Sequence, residues 1–336
     1  MSIRVGINGF GRIGRDFLRN VIDGGDTGIE VVAVNDVMSP ESMAHLLRYD
    51  STYGTWRESV SVAGNQLRIG DRTLRLTQER EPAALNWGAV GAEVIVESTG
   101  KFRTRDKAAA HLDAGARRVV LSAPGKGVDA TIVMGVNDHV YRPDEHHIIS
   151  NASCTTNCVA PMLLVLHRAF NVQRGVLTTI HSYTNDQNVL DGPHKDQRRA
   201  RSAAVNMIPT TTGAAKAVGE VLPELAGKLD GVAVRVPIDD GSLTDLTVEL
   251  ARAVTPEEVN AAFAEAAQTG LKGILRYSEE PLVSKDIVGD PASCVFDAGL
   301  TRTQQHLVKA FGWYDNEWGY AARLADLVRL VGAPSH

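Results

Sequence analysis

The sequence has 336 residues, 43% hydrophobic and 22% charged, with a formal net charge of -5. That length predicts about two domains with room for buried cores, and neither the acidic balance nor any basic stripe offers a footprint for nucleic acid. Three cysteines in so long a chain argue for a reducing compartment over a disulfide framework, no apolar run approaches the ~18 residues of a membrane span, and residues 1–7 lack a signal-peptide pattern, so the cytoplasm is expected.

Apolar runs and helical stretches alternate through the first half. Residues 3–8 read as a strand and 12–24 as a helix. Between them stands Gly9-Phe10-Gly11-Arg12-Ile13-Gly14, a G-x-G-x-x-G motif. Alone the motif is weak, but a strand before it and a helix after it are the context of a dinucleotide-binding turn. Gly9 would allow the tight turn, Gly11 the approach of a pyrophosphate, and Gly14 close packing of helix on strand. The N–H groups of Arg12 and Ile13 would face the phosphates. A second strand, 30–35, ends at Asp36. A carboxylate there would accept hydrogen bonds from the adenosine ribose and repel a 2′-phosphate, which favours NAD over NADP. A helix at 39–49, a strand at 93–97, a helix at 106–114, and strands at 118–122 and 147–150 complete the series. Strands alternating with helices predict a doubly wound, Rossmann-type parallel sheet.

The second half differs in texture. A helix is expected over 154–169, entered through Asn151-Ala152-Ser153-Cys154-Thr155-Thr156-Asn157-Cys158. Cys154 then sits at a helix N-terminus, where unpaired N–H groups and the helix dipole lower a thiol pKa. Its polar neighbours are poor core lining, so it reads as a nucleophile, whereas Cys158 and Cys294 read as packing residues. Longer strands are expected at 175–181, 231–236, 244–250 and 308–313, in an α+β domain with a mainly antiparallel sheet. His181 ends the first of these strands and is the candidate base, one of ten histidines. Residues 185–207 form a long polar stretch of the kind that is functional or buried in an interface. A helix begins near Ala214, and a last one, from 318, folds back on the first domain. The domains are thus 1–153, with 318–336 packed back on it, and 154–317. No metal-ligand pattern is present. A thiolate beside NAD has a chemical consequence: it adds to an aldehyde, and the hemithioacetal loses hydride to become a thioester.

At this point the motifs match a known family. The chain resembles phosphorylating glyceraldehyde-3-phosphate dehydrogenase over nearly its whole length. The resemblance rests on I-N-G-F-G-R-I-G-R from Ile7, H-L-L-R-Y-D-S from His45, S-T-G-K-F from Ser98 and S-A-P-G-K from Ser122. It continues in I-V-M-G-V-N from Ile132, N-A-S-C-T-T-N-C from Asn151, P-T-T-T-G-A-A-K-A-V from Pro209 and W-Y-D-N-E-W-G-Y from Trp313. It implies that Cys154 is the nucleophile and His181 the base that keeps it ionised. Thr184 and Arg235 would hold the substrate's 3-phosphate. Ser153, Thr155, Arg199, Thr212 and Gly213 would hold the attacking inorganic phosphate. Asn316 would fix the nicotinamide carboxamide, with Tyr320 nearby, and Arg80, Thr99 and Ser122 would line the cofactor cleft. It implies a homotetramer, with 185–207 at the subunit contacts. Read without the resemblance, Arg199 in a charge run is equally a solvated face, and Thr210-Thr211-Thr212 a plain loop before a helix.

Three features depart from the family pattern. Gly192 replaces a bulky apolar residue that many members carry, which leaves NADP as a weaker alternative cofactor. Ser182, beside the candidate base, is often Ala, and Asp239-Asp240-Gly241 differs from the commonest pattern. Two neighbouring activities share the cysteine: erythrose-4-phosphate dehydrogenase, which ends in hydrolysis, and a specialised inhibitor-tolerant paralogue.

Overall fold

The computed structural model describes residues 2–25 and 27–333, which divide into two compact units. The first unit takes residues up to Ile132, then His139–Ala152, then the chain from Ala321 onward; the second takes Val133–Asp138 and Ser153–Tyr320.

Nine strands make the first unit's sheet. In chain order they are β1 (Ile3–Asn8), β2 (Ile29–Asn35), β5 (Val60–Ala63), β6 (Gln66–Ile69), β7 (Arg72–Thr77), β8 (Val94–Glu97), β9 (Arg118–Leu121), β10 (Ala130–Thr131) and β11 (Ile148–Ser150). The short pair β3 (Tyr49–Asp50) and β4 (Gly54–Thr55) stands apart. The spatial order is β10-β11-β9-β8-β1-β2-β7-β6-β5. From β10 to β7 every pairing is parallel, and only the β7-β6-β5 end is antiparallel. Taken from β7 to β11, this is the Rossmann order, with the chain reversing direction across the sheet between β1 and β8. Helices α1 (Arg12–Asp23), α2 (Pro40–Arg48) and α3 (Arg105–Asp113) connect the strands. β8 is buried at all four positions, as befits a central parallel strand covered on both faces. The antiparallel extension was not foreseen: β5 and β6 alternate from residue to residue, but each is only four residues long, too short a run to stand out from loop.

In the second unit the sheet order is β13-β14-β12-β15-β19-β17-β16. Its strands are β12 (Val172–Ser182), β13 (Ile208–Thr211), β14 (Leu229–Val236), β15 (Ser242–Leu250), β16 (Leu275–Ser278), β17 (Cys294–Asp297) and β19 (Leu307–Tyr314), with β18 (Arg302–Gln304) pairing β19. It is mixed but mainly antiparallel; β12 with β14 and β16 with β17 are its parallel pairs. α4 (Cys154–Phe170) is apolar on almost every side and packs among the sheet, α5 (Ala214–Val221) and α6 (Pro256–Gln268). A helix apolar all round belongs in a core, and Ser153 caps it, its Oγ accepting from Thr156 N at 3.0 Å. The last helix, α7 (Trp318–Gly332), buries Ala321, Leu324, Leu327 and Val328. Residues 334–336 of the expected terminal helix lie outside the described residues.

Candidate active site

In the first unit the predicted cofactor residues gather along one edge. Each follows the C-terminal end of a parallel strand: Gly9 after β1, Asp36 after β2, Arg80 beyond β7, Thr99 after β8 and Ser122 after β9. That edge, at a point where the strand order reverses, is where open α/β sheets bind ligands. Gly9 has φ 96, and a Cβ on it would lie 2.6 Å from Thr99 N. A Cβ on Gly14 would strike the Gly9 carbonyl, so this glycine seats α1 against β1. Gly11 is different: a Cβ there would meet no protein atom within 4 Å. Packing does not require a glycine at 11, whereas close approach of a pyrophosphate does. As N-cap of α1, Gly11 brings no side-chain hydrogen bond, and the first turn, at Arg12 and Ile13, holds no acidic residue. These residues therefore fit a bound dinucleotide phosphate. The Arg12 guanidinium is engaged elsewhere, in an ion pair with Asp50. Asp36 is oriented by the backbone, its Oδ2 accepting from Phe10 N at 2.6 Å and its Oδ1 from Met38 N at 3.0 Å. Arg80 is exposed, while Thr99 and Ser122 are half-buried. Below this edge the buried Glu97 accepts from Thr99 N at 2.8 Å and from Asn8 Nδ2 at 2.6 Å. It also bonds His111 Nε2 at 2.9 Å.

In the second unit Cys154 opens α4 and His181 stands near the end of β12. Sγ and Nε2 are 3.4 Å apart. The imidazole tautomer follows from its surroundings. Nδ1 is 2.7 Å from the Ser182 carbonyl, which accepts only, so Nδ1 carries the proton and Nε2 faces the thiol as acceptor. Arg235 Nη1 lies 3.2 Å from the same Nδ1, but both carry hydrogens. The guanidinium's bonds go instead to the Ser182 carbonyl at 3.2 Å and Thr184 Oγ1 at 3.0 Å. Burial pushes the thiol up to about 11, against the pull of Arg235 and of Thr155's N–H and hydroxyl. This corrects the expectation of a low thiol pKa: the helix N-terminus acts in the foreseen direction, but the loss of solvent around Sγ outweighs it. Burial, followed by Arg235, also holds the imidazole down, to about 3. The resting pair is thus thiol and neutral imidazole, with one transferable proton between them. Moving that proton creates opposite charges in contact, whose attraction offsets the burial that each charge alone would suffer.

Beside this pair three of the proposed anion ligands, Arg235, Thr184 and Arg199, are joined in one network through Asp186. The buried Nε of Arg235 has no hydrogen-bond partner among the described residues. Thr184 Oγ1 bonds Asp186, which forms an ion pair with Arg199. Arg199 Nε donates to Thr210 Oγ1 at 3.0 Å. Its side chain is only 17% exposed, so Arg199 is a structural participant and not part of a solvated face. Thr212 Oγ1 accepts from Ala214 N at 3.2 Å, and Gly213 is the N-cap of α5. Ser153 and Thr155 flank Cys154, with Thr155 Oγ1 2.9 Å from the Tyr314 hydroxyl.

Asn316 is buried beyond β19, and its Oδ1 accepts from Ser182 Oγ at 2.9 Å and Ser242 Oγ at 2.6 Å. Tyr320 lies buried in the first turn of α7. Sequence reasoning missed Asp186, Tyr314 and Ser242. Tyr314 bridges Thr155 and Thr179, whose Oγ1 is 2.8 Å from its hydroxyl, and presents its ring edge-on to His181. Asp186 carried a readable signal, a carboxylate in the polar run after the candidate base. Ser242 carried none, because it comes from a distant strand. Among the described residues no group of three or more His, Cys, Asp or Glu is placed to hold a metal.

A dinucleotide-binding sheet edge and a thiol–imidazole pair on one chain define an NAD-dependent dehydrogenase of the thiol class. Residues 3–105 match the family described as glyceraldehyde 3-phosphate dehydrogenase, NAD binding domain, and residues 153–316 match its C-terminal domain. Similar proteins include glyceraldehyde-3-phosphate dehydrogenase 2 of Streptomyces arenae, 55% identical with 99% of each chain covered. Glyceraldehyde-3-phosphate dehydrogenases of Streptomyces coelicolor and Geobacillus stearothermophilus are 56% and 55% identical, again over 99% of each chain. The chain belongs to the glyceraldehyde-3-phosphate dehydrogenase family.

Proposed function

We propose that Cys154 and His181 carry out the oxidative phosphorylation of D-glyceraldehyde 3-phosphate to 1,3-bisphosphoglycerate. One observation carries the reading: the 3.4 Å approach of Sγ to an Nε2 left free by the Ser182 carbonyl. As Sγ attacks the aldehyde carbon, its proton passes to Nε2 and then to the new alkoxide, giving a hemithioacetal. His181 next takes the hydroxyl proton while hydride leaves the same carbon. When bound, NAD supplies the hydride acceptor. The product on Cys154 is a thioester. A phosphate oxygen attacks its carbonyl, and the thiolate leaves with the acyl group transferred to phosphate. Arg235 and Thr184 hold the substrate's own phosphate. Ser153, Thr155, Arg199, Thr212 and Gly213 hold the incoming phosphate, the arginine fork matching its oxygens.

Gly9, Gly11, Arg12, Ile13, Gly14, Asp36, Arg80, Thr99, Ser122, Asn316 and Tyr320 hold the cofactor. The carboxylate of Asp36 supports NAD over NADP; a higher kcat/KM with NADP would overturn that assignment. The assembly is a homotetramer, a reading supported by the exposed Val189, Leu190, Val205 and Met207 of segment 185–207. The compartment is the cytoplasm, in keeping with three free cysteines.

The test is NADH formation from D-glyceraldehyde 3-phosphate, with and without phosphate, in the wild type and Cys154→Ser. Turnover that needs phosphate and disappears in the variant is expected. Full turnover without phosphate would replace this reading with a hydrolytic one.

A further inference from the structure

Ser182 has every polar group committed. Its N–H donates to Ser242 Oγ at 3.1 Å, its carbonyl accepts from His181 Nδ1 at 2.7 Å, and its hydroxyl donates to Asn316 Oδ1 at 2.9 Å. Ser182, Ser242 and Asn316 are all buried, at 0%, 0% and 5% exposure. The Ser242 hydroxyl already accepts the Ser182 N–H, which leaves its proton for Asn316 Oδ1. Two donors thus converge on one oxygen. A flip of the Asn316 amide would turn its NH2 group toward both hydroxyls and leave both buried hydroxyl protons without an acceptor. Its carbonyl end is therefore pinned, and its two N–H donors are turned away from the serines.

The turn before Ser242 delivers the second hydroxyl. Gly241 has φ 89, and a Cβ on it would strike the Ser284 carbonyl, so a glycine is required there. The Asp240 carboxylate accepts from Gly241 N at 2.8 Å and tightens the same turn. From the other side Asp315 holds the loop carrying Asn316, accepting from Gly289 N at 2.7 Å and Glu317 N at 2.9 Å.

We infer that Ser182, with Ser242, is a positioning residue for the nicotinamide half of the cofactor: it locks Asn316 with its N–H donors presented to a carboxamide carbonyl. The inference rests on the assignment of Asn316 to that carboxamide. One residue then ties the base to the cofactor contact, its backbone carbonyl fixing the tautomer of His181 and its side chain fixing Asn316.

The experiment is calorimetric titration of the intact protein with NAD and with ADP-ribose, which lacks the nicotinamide, for the wild type, Ser182→Ala, Ser242→Ala and Asn316→Ala. Loss of one neutral hydrogen bond predicts NAD binding about fivefold weaker in either serine variant, with ADP-ribose affinity unchanged. Asn316→Ala is expected to show the same selectivity with a larger loss. Equal weakening of both ligands in Ser182→Ala would make the serine a general structural residue and overturn the inference. Loss of NAD affinity in Asn316→Ala with none in the serine variants would overturn it while sparing the role of Asn316. Unchanged NAD affinity in Asn316→Ala would remove both.

Discussion

The thiol–imidazole pair behaves as a unit, and its pH dependence follows. His181, held down to about 3, accepts a second proton only in strong acid, and Cys154, pushed up to about 11, loses its last proton only in strong base. Between those limits the pair holds one shared proton, so alkylation of Cys154 by iodoacetamide is expected to be nearly independent of pH. Removing the base changes this. In His181→Asn the thiolate must form unaided, so the alkylation rate near neutrality should fall by about 10²–10⁴ and rise about tenfold per pH unit toward the alkaline range. A flat profile in the variant would show that His181 does not take the proton. The candidate nucleophile was legible, because hydroxyl and amide neighbours make a poor core. The height of its pKa was not, since it depends on how much water the folded site excludes, and no local pattern encodes that.

Caps and turns govern the elements. Ser153 is both the N-cap of α4 and a proposed ligand of inorganic phosphate. The two roles separate on substitution. Ser153→Ala should lower stability by about 1 kcal/mol through the lost cap, read as a shift in denaturant midpoint at constant slope. It should also raise the KM for phosphate and leave that for NAD unchanged. A stability loss with no change in phosphate KM would leave Ser153 as a cap alone. The parallel strands β1, β2, β8, β9 and β11 and the helices α1 to α3 were legible from periodicity and Gly-x-Gly-x-x-Gly, to within a residue or two at their ends, whereas β7 and β10 of the same sheet were not. α6 was missed although its signature was present: Thr255, Pro256 and Glu258 form a capping box with proline at N1, the Thr255 hydroxyl accepting from Glu258 N at 3.3 Å. The short strands β13, β16 and β17 were not legible, because what defines them is pairing with partners remote in sequence.

At the scale of the molecule, the exposed apolar residues of 185–207 carry the assembly reading. Val189, Leu190, Val205 and Met207 are each at least 75% exposed, an unusual density for one segment. Replacing Leu190 and Val205 with Asp should convert the assembly to smaller species in sedimentation. An unchanged sedimentation coefficient would place the subunit contacts elsewhere. Connectivity between remote segments was harder to read than local structure. In the structure the residues of α7 from Ala321 group with the first unit. Residues 133–138 leave the first unit for the second, a short excursion that no local pattern in the sequence marks.

That return of the chain has a consequence for biosynthesis. The Tyr141 hydroxyl donates to the Val331 carbonyl at 3.3 Å, and Gly332 sits so close to Ile3 that a Cβ there would fall 2.5 Å from its side chain. The start of β1 thus meets the C-terminal end of α7. While the intervening residues are being made, the apolar side chains awaiting α7 stay uncovered, and the nascent chain carries an open flank that a chaperone can hold. A stop that removed α7 from Ala321 onward would leave that flank bare in the finished product, a direct path to degradation for a chain whose proposed chemical groups all precede it.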